Sequence, residues 1–118
     1  MSIIKKADQK VIDKPWGKEV IWTTNNHYAG KIITINAGER LSLQYHDKKT
    51  ETILLLSGDL TVLGEAGTRP ATLSIGDAFH VTPGTVHRFC AGKETATLIE
   101  VSTSELDDVV RLDDDYNR

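Results

Sequence analysis

The sequence predicts an all-β domain, a barrel or sandwich of short strands around one core, and three observations carry that expectation. First, segments rich in Val, Ile, Thr and Leu recur between breaks: Glu19 to Thr23, Tyr28 to Ile35, Arg40 to Tyr45, Thr50 to Leu56, Leu60 to Leu63, Ala71 to Leu73, Ala78 to Val81, Val86 to Phe89 and Thr95 to Ser102. Second, the breaks carry turn chemistry. Asn36-Ala37-Gly38, Ser57-Gly58-Asp59, Gly64-Glu65-Ala66-Gly67, Ile75-Gly76-Asp77 and Pro83-Gly84 each supply a residue that tolerates positive φ or one that fixes it. Third, helix signals are confined to one place near the end, where Ser104 stands as a cap before Glu105-Leu106-Asp107. Many short strands at regular spacing make sandwiches and barrels, here with a short helical or irregular segment expected after the last strand.

At 118 residues the chain can close one hydrophobic core and not two, and no linker, repeat or low-complexity tract divides it. The expected layout over residues 1–118 is a barrel over about 28–102, an N-terminal arm over 1–27 and an acidic tail over 103–118. The formal net charge of −3, with acids and bases interspersed, leaves no basic stripe for a nucleic-acid backbone. One cysteine, Cys90, excludes an internal disulfide, and its parity opposite His87 and Phe89 reads as an inert thiol. The stretch MSIIKKADQKVIDK holds no apolar run long enough for a signal peptide or a membrane span, so the cytoplasm is the expected compartment.

The chemistry gathers in four residues. Gln44 and His46 lie two apart on one strand and so share a face. Glu51 opens the next strand after a turn through Asp47, Lys48 and Lys49, and His87 on a later hairpin can meet them if it faces the same interior. Taken singly, His46 or His87 reads as a structural histidine and Glu51 as an ion-pair partner of Lys48 or Lys49. Together they offer two nitrogen and two oxygen donors, suited to Zn, Mn, Fe, Co or Ni rather than Ca or Mg. Without Gln44, which could instead hydrogen-bond behind the ligands, two histidines and a glutamate resemble the facial triad of iron oxygenases.

The spacing around these residues resembles a known family. Gly38, Gln44, His46, Glu51 and Gly58 fall at the positions of the first cupin motif, with Gln44 where many cupins have a histidine. Gly76-Asp77-Ala78-Phe79-His80-Val81-Thr82-Pro83-Gly84-Thr85-Val86-His87 resembles the second, with Thr82 where a proline is usual. Closer still is the likeness to the cupin domain of type II mannose-6-phosphate isomerases, carried by Lys14-Pro15-Trp16-Gly17, Arg40-Leu41-Ser42-Leu43-Gln44, Pro83-Gly84-Thr85 with His87-Arg88, and Asp107-Asp108-Val109-Val110-Arg111-Leu112. The resemblance implies a single cupin jelly roll, a metal ligand role for Gln44, and a zinc-dependent exchange between an aldose and a ketose phosphate. The sequence departs from the family pattern at Asp47, Lys48, Lys49, Thr52 and Ile53, where members carry a His- and Arg-rich turn and a His-Trp pair. Those departures bear on the substrate more than on the metal.

Other candidates follow from chemistry and parity. His80 and Glu100 are the candidate proton-transfer groups of an isomerase. Lys31, Arg40, Lys49 and Arg88 are candidates for holding a phosphate or carboxylate. Competing readings are an iron-dependent small-molecule dioxygenase and a non-catalytic sugar- or ligand-binding cupin. If Gln44, His46 and Glu51 point inward, Leu41, Leu43 and Tyr45 with Thr52, Leu54 and Leu56 point outward. A face this apolar needs cover, either from an N-terminal strand or from a second copy, which predicts a homodimer.

Overall fold

A computed structural model describes residues 2–118. After a single 3₁₀ turn at Lys6–Asp8 come β1 (Lys10–Lys14), β2 (Gly17–Thr24), β3 (Ala29–Ile35), β4 (Leu43–Tyr45), β5 (Glu51–Ser57), β6 (Leu60–Leu63), β7 (Ala71–Leu73), β8 (Ala78–Val81), β9 (Arg88–Ala91), β10 (Ala96–Ser102) and β11 (Val110–Asp113). One layer is a six-stranded antiparallel sheet in the order β1-β2-β3-β10-β5-β8. The facing layer is made of β7-β6-β9 and β11-β4, joined by the bridges Arg40 to Cys90 and Gln44 to His87. No helix among the described residues is long and apolar enough to cross a membrane.

Alternation along the strands fills the interior in layers, as expected where side chains point alternately in and out. Ile33, Leu98 and Leu55 are register partners in one layer, and Lys31, Glu100 and Ile53 in the next. Beyond these stand Ala29, Ser102 and Glu51. The barrel is therefore apolar toward one end, where Ile35, Leu60 and Leu98 are fully buried, and charged toward the other. That polarity, written into β3, β5 and β10, puts the candidate site at one mouth of the barrel.

Two sequence expectations change, and a third is narrowed. The stretch read as an N-terminal arm contributes β1 and β2 to the main sheet. They are joined by a tight turn in which Trp16 drops into the core at 2% exposure. Gly17 permits the close approach, since a Cβ there would lie 1.9 Å from the Thr34 carbonyl oxygen. Of the helical or irregular segment expected after the last strand, the irregular form is found: the Ser104 hydroxyl donates to the Asn26 carbonyl oxygen, turns follow, and the chain then pairs β11 with β4. Leu41, expected outward, is buried in the core. The segment ahead of β4 is irregular, so consecutive Leu41 and Ser42 are both buried and strict alternation begins only at Leu43.

Candidate metal centre

Gln44 and His87 are fixed side by side by a pair of reciprocal backbone bonds, Gln44 N to His87 O at 3.0 Å and His87 N to Gln44 O at 2.9 Å. Directly opposed residues in such a pair present their side chains to the same face. His46, two residues after Gln44, and Glu51, at the start of β5, complete the group. His46, Glu51 and His87 are 3%, 2% and 1% exposed, and their ligand atoms lie within 4.8 Å of one another.

The histidine tautomers follow from their partners. His46 donates through Nδ1 to the Asp108 carbonyl oxygen at 2.6 Å, and His87 donates through Nδ1 to the Thr85 carbonyl oxygen at 2.9 Å. Each neutral ring then presents an Nε2 lone pair, and both Nε2 atoms face Glu51 Oε1, at 3.0 Å from His46 and 3.2 Å from His87. His87 Nε2 is buried and makes no hydrogen bond. Two lone pairs and a carboxylate oxygen converging in a buried space repel one another unless a cation stands among them. The donor set therefore fits a divalent metal such as zinc, with nitrogen and oxygen ligands. Gln44 borders the same cavity, and its Oε1 accepts a hydrogen bond from the Ser42 hydroxyl at 2.8 Å.

Behind the triad lies a buried charge cluster. Lys49 Nζ is 3.3 Å from Glu51 Oε2 and 3.2 Å from Glu100 Oε2, with all three side chains no more than 5% exposed. Burial raises the Glu100 carboxyl, and the hydrogen bond and charge of Glu51 raise it further, to about 8. Burial also works against Glu51, but the hydrogen bond from Glu100 and the charge of Lys49 are among the influences that hold that carboxylate well below the usual range. For Lys49, desolvation is overcome by the charges of Glu100 and Glu51, so its ammonium is retained.

Asp108 organises this end of the site, and no motif or spacing in the sequence marks it for that role. Its carboxylate accepts the backbone N–H groups of Asp47, Lys48 and Lys49 at 3.0, 2.7 and 2.9 Å, while its carbonyl orients His46. Those bonds lower its carboxyl below the ordinary value. In the sequence it lies in an acidic stretch that reads as a surface tail. The one hint is the Asp107-to-Leu112 likeness.

The remaining candidates separate. Glu100 and Lys49 line the cavity of about 420 Å³ that contains Gln44, His46 and Glu51. His80 stands on the outer side of β8, exposed, 2.8 Å from the Thr52 hydroxyl, because it shares the outward parity of its register partner Thr52. Arg40 pairs with Asp115 at 2.7 Å. Arg88 is buried, donating to the Leu41 carbonyl oxygen at 2.7 Å and to Asp113 at 3.0 Å. Of the positions that depart from the family pattern, Ile53 is in the core, Thr52 points outward and Asp47 is exposed, so only Lys49 reaches the cavity.

Two facing antiparallel sheets around a buried His/Glu cluster define a cupin, a double-stranded β-helix. Solved structures of that fold agree: KdgF from Halomonas sp. superposes with a TM-score of 0.77 at 19% identity, covering 90% of this chain and 97% of that one. An RmlC-like cupin from Shewanella frigidimarina gives 0.75 at 17% identity, covering 87% and 90%. Residues 4–114 match the family described as mannose-6-phosphate isomerase C-terminal, and the chain belongs to that family. Among curated relatives, the mannose-1-phosphate guanylyltransferase ManC of Salmonella typhimurium is 34% identical over 113 residues, which is 89% of this chain and 22% of ManC. The alginate biosynthesis protein AlgA of Pseudomonas aeruginosa is 31% identical over 109 residues, again 89% and 22%. The chain thus spans under a quarter of the length of these relatives.

Proposed function

We propose that the chain is a metal-dependent sugar-phosphate isomerase of the mannose-6-phosphate isomerase type, exchanging an aldose for a ketose phosphate. The observation that carries this is the convergence of His46 Nε2, His87 Nε2 and Glu51 Oε1 in a buried cluster whose His46 and Glu51 line a polar cavity, in a chain of this family. His46, Glu51 and His87 hold the metal, zinc in this reading, with Gln44 as the fourth ligand. A divalent metal there supplies a Lewis acid for the oxygens of an open-chain sugar. Glu100 is the buried carboxyl on the cavity wall not taken by the histidines, and it moves the proton between C2 and C1 of the sugar. Lys49 holds Glu51 and Glu100 in place, and the apolar wall of Ile33, Leu41 and Phe89 keeps water from the reacting carbons.

Elemental analysis of purified protein, followed by a screen of aldose phosphates for ketose formation, tests this reading. Zinc near one per chain and turnover that Glu100→Gln abolishes are expected. Saturable sugar binding with no turnover across the screen would select a non-catalytic binding protein. The Ser42 hydrogen bond to Gln44 Oε1 favours a second reading, in which His46, Glu51 and His87 alone hold iron for a dioxygenase. Oxygen uptake by the iron-loaded protein would support it.

A homodimer and a cytoplasmic location belong to the same proposal. The outer face of the main sheet carries an aliphatic row in register, Val11, Val20, Ile32, Ile99 and Leu54, flanked by Leu56 and Val101 at 45% and 52% exposure. Sheet-on-sheet packing against a second copy covers it. A light-scattering mass of a single chain at micromolar concentration would count against the dimer.

A further inference from the structure

The layer of the barrel that faces the main sheet comes in two pieces, β11-β4 and β7-β6-β9, and the donor groups of the metal centre are divided between them. Gln44 lies on β4 and His46 just after it, whereas His87 immediately precedes β9, and the two histidine rings stand 5.0 Å apart across the seam. The pieces are joined by the bridges Arg40 to Cys90 and Gln44 to His87. Between those bridges three residues, Leu41, Ser42 and Leu43, stand opposite two, Arg88 and Phe89, so the seam contains a bulge. The bulge lies between the bond from Leu41 N to Phe89 O at 3.0 Å and the Gln44–His87 pair, and it interrupts the ladder next to the ligands.

Arg88 closes this gap from the other side. His87 and Phe89 share the interior, with rings 5.3 Å apart, so Arg88 between them is turned to the opposite face. It is buried all the same, because the end of β11 and the residues after it fold over it. Its Nε donates to the carbonyl oxygen of Leu41, inside the bulge, at 2.7 Å. Its Nη1 donates to Asp113 Oδ2 at 3.0 Å and its Nη2 to the Asp113 carbonyl oxygen at 3.3 Å, with Asp115 Oδ1 3.6 Å away. Asp115 also accepts from Arg40, at 2.7 and 2.9 Å. One planar guanidinium thus ties β9 to the segment ahead of β4 and to the end of β11, a fork that an ammonium group cannot supply.

We infer that Arg88 is a positioning residue for the metal centre: forked onto Leu41, Asp113 and Asp115, it fixes the width of the seam and with it the distance at which His87 meets His46 and Glu51. The Gln44–His87 pair pins the backbone at one point, and Arg88 pins the bulge beside it. Metal ligands must be held to within about 0.2 Å, so slack in this seam is felt at the ion before it is felt in the core. The inference rests on the reading of His46, Glu51 and His87 as metal ligands, and on no particular reaction.

Two measurements on the full chain test the assignment. Hydrogen exchange of the metal-free protein reads the seam at the Gln44 and His87 amides, which donate to one another's carbonyl oxygens, with the Ile33 and Leu98 amides of the main sheet as reference. Titration with cobalt(II) reads affinity and, through the visible absorption of the bound ion, ligand geometry. The double variant Asp113→Ala/Asp115→Ala, whose side chains are 61% and 38% exposed, removes the acceptors without touching the core. In it, exchange at Gln44 and His87 speeds up about ten-fold or more while Ile33 and Leu98 are unchanged, cobalt affinity falls about ten-fold, and the absorption band shifts. Arg88→Lys keeps the charge but loses the fork, and it gives the same losses. Arg40→Gln, which removes only the exposed pair with Asp115, gives a smaller loss in the same direction. Unchanged exchange at Gln44 and His87, an equal loss of protection at all four amides, or cobalt affinity and absorption that match the unaltered protein overturns the proposal. An unaltered chain that takes up no cobalt refutes the metal reading itself, and exchange then decides the role of Arg88 in the seam alone.

Discussion

Replacing Lys49 by Met in the metal-free protein isolates the energetics of the buried cluster. Lys49 Nζ faces Glu51 and Glu100 at 3.3 and 3.2 Å, and none of the three side chains is more than 5% exposed. At an effective dielectric constant of ~20, unit charges about 3.2 Å apart interact by roughly 5 kcal/mol, offset by several kcal/mol of desolvation per ion. The net attraction is therefore small, but removing the cation alone leaves buried carboxylate charge with nothing opposite, which costs about 3–5 kcal/mol. Met keeps the aliphatic volume, so little of the loss is packing. Urea unfolding with a chelator present is the assay. Lys49→Met should lose about 3–5 kcal/mol at pH 9, where Glu100 is ionised, and clearly less at pH 6, where it is protonated. Glu100→Gln in the same background should restore more than about 1 kcal/mol, because it removes one of the stranded charges. A loss under about 1 kcal/mol at both pH values, or strict additivity of the two substitutions, would refute the reasoning.

Other outcomes derive from the same geometry. The folded-state value of about 8 for Glu100 lies above its ordinary 4.5, so its contribution to stability is complete below about pH 4.5 and is lost as pH rises through about 8. Glu51 is shifted the other way: its contribution is present above its ordinary value and lost only in strong acid. The metal-free protein should therefore weaken between pH 6 and pH 9 in chemical denaturation, and Glu100→Gln should flatten that slope. His46→Ala and His87→Ala should each abolish stoichiometric metal by elemental analysis, and retention of one metal per chain in either would sink the site. Asp108→Ala should weaken metal binding by about ten-fold or more in a competition titration, because it frees the turn that carries His46 and Lys49. Leu98→Ala, at a fully buried position, should cost about 2–5 kcal/mol in thermal or urea unfolding without changing metal stoichiometry.

What is legible in the sequence depends on period and spacing. Gln44 on β4 and His46 just after it share parity, Glu51 comes after one turn, and His87 lies in a Pro-Gly-Thr context whose hairpin returns it beside Gln44, so local pattern is enough to bring them to one interior. Strand rhythm likewise reads most of the sheet, because half-buried strands advertise themselves by alternation. Parity fails where the backbone leaves the strand, at Leu41 and Ser42. Long-range partners are hidden for a different reason. Arg40 and Arg88 look like free cations until Asp113 and Asp115 fold back on them, and Asp108 looks like tail until its carboxylate meets three amides. Lys10 and Lys14 sit in a stretch with no strong apolar signal, and only edge pairing with β2 turns it into a cavity wall.

The hydrogen bond from His46 to the Asp108 carbonyl oxygen spans 62 positions of sequence. His46, Glu51 and His87 all precede Asp108, so a chain truncated just before it contains every donor atom yet has His46 free to rotate and its tautomer unset. In the proposed metal-dependent reading, capture of the ion is conditional on the segment between β10 and β11, and since β1 supplies another wall, both flanks of the fold must dock before the cavity exists. Contacts this distant in sequence carry a high loop-closure cost and slow the folding of the whole barrel. If the proposed centre holds its metal, an ion added during refolding should be taken up only as the native barrel forms, and uptake that precedes recovery of native structure would count against this dependence.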